Sequence, residues 1–398
     1  MKLPRVKKLA ILLLAGLPGL GFASGFALIE QSASGLGNAF AGAAASAEDA
    51  STIFFNPAGM TRLPNRQVAG ALHLILPSAK YSDGNPATND GGDAGSLAVV
   101  PNLYYAMAFS PTTWFGLGVN APFGLKTDYD PNWVGKAAAI KTSLKTINVN
   151  PSLATRLTDQ LSVGMGLSVE YAKADLSGFA GPAGILKVEG DDWGFGADVG
   201  LLYELDSATR VGLSYRSRIK HTLEGDASFS NISALNGGVT ADLTLPDVAS
   251  LSVVKQVSPT LTLLGDISYT TWSVFDKLTI VRTSGATITS TTEDWNDTWR
   301  FSVGATYKLN DAIKLRGGLA YDQSPVPDSR RTPRIPDNDR TWIALGMGYQ
   351  VSRNDVIDAG YAHLFIKDPS LAQNTALGLP GSYKFHVDIL SAQYTHTF

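Results

Sequence analysis

The chain has 398 residues, 17% of them charged, with a formal net charge of -3 and no cysteine. A charged fraction below the ~25% usual in soluble domains argues against an ordinary soluble globule. The small negative charge excludes a nucleic-acid partner as the leading reading, and the absence of cysteine removes disulfide frameworks and cysteine-based zinc sites.

The N-terminus comes first. Lys2, Arg5, Lys7 and Lys8 precede a mostly apolar stretch from Leu9 to Leu20, followed by Gly21-Phe22-Ala23. That order of charge, apolar run and small residues marks residues 1–23 as a secretory signal peptide, with Ser24 as the first mature residue. A membrane anchor is the rival, but the run is shorter than the ~20 residues that span a bilayer. No later apolar run approaches ~18 residues, so no transmembrane helix is expected.

Residues 24–65 are rich in Ala, Gly and Ser and show no sustained alternation. They are too apolar for a free linker, and a compact hatch domain is the expectation. The segment ends near Asn56-Pro57-Ala58, a breaker in which Pro restricts its own φ and biases its predecessor away from helix. Such a stiff turn would hold the hatch against a neighbouring wall.

From residue 66 to 398 the pattern becomes period two. Trp193, Phe195, Ala197, Val199, Leu201, Tyr203 and Leu205 alternate with Gly194, Gly196, Asp198, Gly200, Leu202, Glu204 and Asp206. Trp299 to Leu309 and Ile313 to Tyr321 alternate in the same way. Periodicity alone fits either a soluble sandwich or a membrane barrel. The connections decide between them. Six short joints (110–112, 158–160, 206–208, 258–260, 310–311, 352–354) alternate with seven long ones (around 82–96, 124–143, 177–190, 225–241, 282–292, 323–340, 367–381). This count predicts an all-β fold: a transmembrane antiparallel β-barrel of about fourteen strands, short turns on the periplasmic side and long loops outside. Such a lumen must be filled or form a pore, which places the hatch inside it. Trp114, Tyr171, Trp193, Tyr269, Trp272, Trp299, Trp342 and Tyr383 are expected in interfacial girdles.

Ala121-Pro122-Phe123-Gly124-Leu125 interrupts the third strand. Pro lacks the ladder N–H and Gly weakens a strand, so pairing must break there. The plain reading is a strand end; the functional one is a gap in the wall. Strand parity also sets Arg216, Arg218, Arg300 and Arg316 on the lumen face, where a guanidinium fork suits an anionic headgroup. Their rival role is pairing with lumen carboxylates such as Asp198, Glu204 and Asp266. Lys173 has the opposite parity and is expected at the outer rim.

Gly35-Leu36-Gly37-Asn38-Ala39-Phe40 fails as a dinucleotide fingerprint because Phe40 takes the last glycine position and no βαβ unit follows. His73, His221, His363, His386 and His396 are scattered. No nucleophile elbow or zinc-protease motif occurs. No cofactor, metal or catalytic residue is expected, although a Ser-His hydrolase remains a rival without named residues.

Together these residues resemble the FadL family of long-chain fatty-acid transporters of the bacterial outer membrane. Ser24-Gly25-Phe26, Ser34-Gly35-Leu36-Gly37 and Asn56-Pro57-Ala58 are similar to that family's hatch, and Pro122-Phe123-Gly124-Leu125 to its third-strand kink. Tyr321-Asp322, Ser324-Pro325-Val326-Pro327, Ile335-Pro336-Asp337, Asp339-Arg340 and Trp342 are similar to its late loop. Tyr394 and Phe398 resemble the aromatic end read by the barrel-assembly machinery.

The resemblance implies a non-enzymatic monomer in outer-membrane lipid. It would take up hydrophobic small molecules passively: an outer groove, an inner pocket built partly by the hatch N-terminus with Phe26, and lateral exit at the kink. Long-chain fatty acids are the expected ligand. An aromatic or aliphatic hydrocarbon channel is the alternative, and a general diffusion porin a weaker one. The basic pocket residues of the fatty-acid members have no counterpart in Leu176-Ser177-Gly178-Phe179.

Overall fold

The computed structural model describes residues 24–398; residues 1–23, the segment expected to be a signal peptide, lie outside the described residues. Nineteen β segments form one antiparallel sheet. In chain order they are β1 (Arg66–Ser82), β2 (Ala98–Ala108), β3 (Thr113–Asn120), β4 (Gly124–Asp128), β5 (Lys141–Arg156), β6 (Leu161–Phe179), β7 (Ile185–Glu204), β8 (Thr209–Arg216), β9 (Ile219–Phe229) and β10 (Gly237–Leu245). Then follow β11 (Val248–Gln256), β12 (Leu261–Thr270), β13 (Lys277–Arg282), β14 (Thr287–Thr292), β15 (Thr298–Lys308), β16 (Ile313–Asp322), β17 (Arg340–Gln350), β18 (Asp355–Ile366) and β19 (Ser382–Thr397).

Five strands are interrupted, giving the pairs β3/β4, β8/β9, β10/β11, β12/β13 and β14/β15. Counted as whole strands there are fourteen. β1 pairs with β19 from Gln67↔Thr397 to Ser82↔Ser382, which closes the cylinder and leaves no free edge.

The alternation decides which face meets what. Phe195, Val199, Leu201 and Tyr203 are exposed on the outside, as are Phe301, Val303, Leu319 and Leu345. Their neighbours Asp198, Leu202, Arg300 and Ala344 are buried within. Phe195 is 72% exposed, which is tolerable only against an apolar surrounding, because lipid takes over the role of a core.

All six short joints fall between strands. The long joints are narrower than the sequence suggested. Residues 124–128 form β4, and β6 and β7 run to Phe179 and from Ile185. The ladders extend because Gly-rich loop sequence there still finds a partner across the hairpin.

The aromatic expectation holds for half its residues. Tyr171 and Trp193 meet outside at 5.2 Å, and Tyr269 and Trp299 at 4.6 Å. Trp114, Trp272, Trp342 and Tyr383 instead lie inside and buried. Their position near strand ends does not fix which face they take.

Residues 24–65 lie within the cylinder as three one-turn helices, α1 (Ala33–Leu36), α2 (Ala43–Ser46) and α3 (Thr52–Phe55), and a 3-10 turn at Pro57–Arg62. Small residues on both sides let backbone meet wall. A Cβ at Gly212 would sit 1.9 Å from the Ala44 carbonyl oxygen, and one at Gly346 would be 2.7 Å from the Cα of Gly37. The high glycine content therefore serves close approach as well as bending.

Candidate functional site

Three apolar spaces lie in series. An outer groove of about 1100 Å³ is lined by Ala137, Phe179, Leu186, Ile288 and Leu377, from the extracellular loops and strand tips. It shares Leu176, Val188, Leu278, Ile280 and Arg334 with an inner cavity of about 780 Å³. The cavity wall also includes Leu125, Leu144, Leu223, Leu243, Phe275 and Ile335, with Glu189, Glu293 and Arg334 as its ionisable groups. A lower cavity of about 980 Å³ lies beyond, lined by Leu28, Phe54, Pro57, Pro122, Phe123 and Trp272.

Phe26 lies between the two cavities. Its ring is 4.7 Å from Trp272, 5.5 Å from Trp295, 5.6 Å from Phe275 and 6.1 Å from Phe123, mostly edge to face. Gly25 turns the chain toward it with φ +60°, in a spot where a Cβ would collide with Trp295 and Trp272. The Gly25 N–H donates to Asp337 at 2.9 Å, and Asp337 is ion-paired to buried Arg340. The loop 323–339 thus holds the start of the hatch.

At the third strand, Asn120 pairs with Asn148 and Gly124 with Lys145. Ala121, Pro122 and Phe123 therefore oppose only Thr146 and Ile147, and the extra residue bends the strand. The hatch satisfies the freed backbone. Leu28 N–H donates to Pro122 O at 2.7 Å, and Gly124 N–H to Phe26 O at 2.8 Å. Gln31 Nε2 donates to Ala121 O at 3.2 Å, and Phe123 N–H donates to the Thr146 hydroxyl at 3.0 Å. An unsatisfied group facing lipid costs several kcal/mol, so the break is stable because it is patched from within.

Asn56, Pro57 and Ala58 are placed differently. Asn56 Nδ2 donates to Ala44 O at 2.7 Å and to Leu201 O at 2.9 Å, while its Oδ1 caps Ala58 N–H at 3.0 Å. A Cβ at Gly164 would strike Ala58 N at 2.4 Å. This turn is seated against β6 and β7. Only Pro57 shares a cavity with the kink.

The four arginines divide. Arg216 bonds Phe54 O at 2.7 Å and the Ser168 hydroxyl at 3.1 Å, with Asp198 at 3.6 Å. Arg300 bonds Ala39 O at 2.6 Å and stacks over Trp342. Both also line the lower cavity. Arg316 is buried between Asp358 and Glu48, each at 2.8 Å, and lines none of the three spaces.

Arg218 corrects the parity argument: it is exposed and bound to Asp247, at 2.7 Å from Nε. Arg216 faces inward, yet so does Ile219, because β8/β9 and β10/β11 break together at Ser217-Arg218 and Pro246-Asp247. Pro246 cannot donate to the ladder. Two residues without ladder geometry there reset which face the next strand presents.

Sequence reasoning missed Arg334, Glu293, Phe275 and Trp295. They lie between strands, where parity carries no information. The apolar Val326 and Ile335 within a nominal extracellular loop were the available hint that it folds inward. Arg334 Nη1 donates to Lys141 O and to the Thr142 hydroxyl, each at 3.3 Å. Burial lowers the Arg334 guanidinium to about 10, which leaves it charged at neutral pH. Burial raises the Glu293 carboxyl to about 7, against a 3.2 Å hydrogen bond from Trp295 Nε1. Among the described residues no group of three His, Asp or Glu is arranged to hold a metal ion.

Comparison with known proteins agrees with this geometry. The model of the family "Outer membrane protein transport protein (OMPP1/FadL/TodX)" matches residues 15–398. The long-chain fatty acid transport protein of Salmonella typhi is 31% identical over 381 residues, covering 86% of this chain and 88% of the relative. A Pseudomonas aeruginosa FadL homologue of known crystal structure is 27% identical, with a TM-score of 0.87 over 94% of this chain and 99% of that one. The Pseudomonas putida toluene transporter TodX, at 18% identity, shares the fold, with a TM-score of 0.76 over 94% of this chain and all of that one. The chain belongs to the OMPP1/FadL/TodX family, outer-membrane barrels that transport hydrophobic compounds and are not enzymes.

Proposed function

We propose that this protein takes up long-chain fatty acids, with the Arg334 guanidinium receiving the carboxylate. The observation that carries this reading is a half-buried, charged arginine in the wall of a mainly apolar cavity. An aromatic hydrocarbon has no use for such a group, and a buried charge is costly without an anionic partner. The acyl chain gains about 0.8 kcal/mol for each CH₂ moved from water into the cavity. Outer groove, inner cavity and lower cavity then form a descending path. Phe26 is its gate, with residues 24–65 as a hatch domain left after removal of residues 1–23, and residues 66–398 as the barrel.

Exit is sideways at Pro122-Phe123-Gly124. Withdrawal of Phe26 to Leu28 would uncover the bend, and an apolar chain entering the bilayer avoids the water at the periplasmic mouth. The protein works as a monomer after insertion by the barrel-assembly machinery, and transport is passive. The test is uptake of labelled oleate and of toluene by cells carrying only this transporter. Arg334→Ala should cut oleate uptake at least tenfold and leave toluene unchanged. Unaltered oleate uptake would favour the hydrocarbon channel.

A further inference from the structure

The inner face of β15, β16 and β17 carries a row of charge. Arg300 stands beside Asp322, and Asp322 beside Arg340. All three are buried. Arg300 and Asp322 line the lower cavity, whose wall also includes Pro122 and Phe123 of the kink. Glu30 of the hatch is completely buried against this row, within electrostatic reach of Arg340, Arg300 and Asp322.

The acids here divide by their partners. Asp337 accepts from the Gly25 N–H at 2.9 Å and from the Ser324 hydroxyl at 2.8 Å, and is ion-paired to Arg340. Asp339 is half-buried and accepts from the Tyr321 hydroxyl and the Ser324 N–H, each at 2.9 Å. Asp322 has only Arg340 Nε, at 3.9 Å, beyond hydrogen-bond range. Neither carboxyl oxygen of Glu30 has a donor among the described residues. On the basic side, Arg300 Nε and Arg340 Nε and Nη1 are buried N–H groups without an acceptor.

Two buried arginines therefore face three buried acids: Glu30, Asp322 and Asp337. A buried acid whose charge finds no match binds a proton instead. Asp337 is already paired and hydrogen-bonded, so the count leaves the spare proton between Glu30 and Asp322. Burial raises the Glu30 carboxyl to about 7, against the pull of Arg340 and Arg300, which agrees with the count.

We propose that the Glu30–Asp322 pair holds one proton and gives it to the carboxylate of a fatty acid in the lower cavity, so that the ligand leaves through the kink as a neutral acid. This rests on the fatty-acid reading above. One O–H bond breaks on the pair and one forms on the ligand. The negative charge passes from ligand to pair, where the unpaired N–H groups of Arg300 and Arg340 receive it. The pair takes its next proton from the bulk aqueous phase after the ligand has gone. A carboxylate resists entry into hydrocarbon far more than a neutral acid does. Arg334 suits capture of the anion, and the pair suits its release.

The test is uptake of labelled oleate, and of labelled oleyl alcohol, by cells carrying only this transporter, at pH 8 and pH 5. Removing either acid leaves two acids for two arginines and no spare proton. Glu30→Gln and Asp322→Asn should therefore each cut oleate uptake about tenfold or more relative to the wild type at pH 8. At pH 5, where much of the oleate carries its own proton, both should approach the wild type. Oleyl alcohol, which has no carboxyl group, should enter all three equally at both pH values. Glu30→Asp should restore oleate uptake at pH 8. Heat-modifiable migration checks that each variant is folded. Wild-type oleate uptake by both variants at pH 8, an equal loss of oleyl alcohol, or a loss of oleate that persists at pH 5 would overturn the proton transfer and leave the fatty-acid reading standing. A wild type that takes up no oleate would remove that reading, and this proposal with it.

Discussion

The Leu28 amide donates to the Pro122 carbonyl oxygen at 2.7 Å, and with the Gly124 amide on Phe26 O and Gln31 on Ala121 O it joins the hatch to the break in the third strand. A Pro in a closed barrel leaves a hole in the ladder. Here the hole is filled by the first described residues of the chain. In the proposed route gate and exit are consequently one structure, since moving Phe26 to Leu28 would also unpair the wall.

Deleting Pro122 alone should straighten the strand, because three residues there oppose two. Labelled oleate uptake should fall at least tenfold while heat-modifiable migration shows a folded barrel. Uptake at the wild-type rate through the straightened wall would mean that ligand leaves elsewhere.

Glu293 supplies a pH dependence. Burial raises its carboxyl to about 7, so it is mainly neutral below that pH and mainly anionic above it. Anionic Glu293 competes with a fatty-acid carboxylate for Arg334. Oleate affinity should therefore drop several-fold between pH 6 and pH 8. Glu293→Gln should bind with equal affinity at both. A titration of intrinsic tryptophan fluorescence measures this, since Trp272 and Trp295 flank Phe26, and a pH dependence that survives in the variant would rule Glu293 out.

Arg316→Ala should loosen the hatch. Burial opposes ionisation of Glu48, but Arg316 and Lys314 outweigh it and hold the carboxyl well below its ordinary range. A carboxylate with a depressed pKa stabilises the fold fully above its unfolded value of about 4.3, and that stability is lost as pH falls toward the depressed value. Removing Arg316 leaves the buried Asp358 without its partner and Glu48 with Lys314 alone, a cost of about 3–5 kcal/mol. Steady current in a planar bilayer should appear in the variant at neutral pH, and in the wild type only on strong acidification. A variant as silent as the wild type at neutral pH would place the hatch anchor elsewhere.

Asn56→Ala removes the amide that binds the Ala44 and Leu201 carbonyls and the oxygen that caps Ala58. Each buried group left unsatisfied costs about 1–3 kcal/mol. Proteolysis within residues 24–65 should accelerate severalfold with the barrel intact. Unchanged protection would show that the glycine contacts alone seat the hatch.

Strand number, the positions of the turns and the lipid-facing residues are written locally, because each depends only on period two and on breakers next in sequence. Phe301 and Val303 face outward for that reason and no other. The N-terminal plug was legible from composition, as was the weak point at Pro122. The inward-folding loop was not, and neither was the polar chemistry of the cavity. Arg334 and Glu293 belong to segments without a period, and they meet only because strands far apart in sequence bring their tips together. Arg218 shows the same limit inside a strand. Its face is set by Pro246, a residue on the neighbouring strand, where lost pairing lets the alternation restart. Period two propagates a choice of face along a ladder, and only the tertiary structure decides where the ladder is interrupted and what closes the gap.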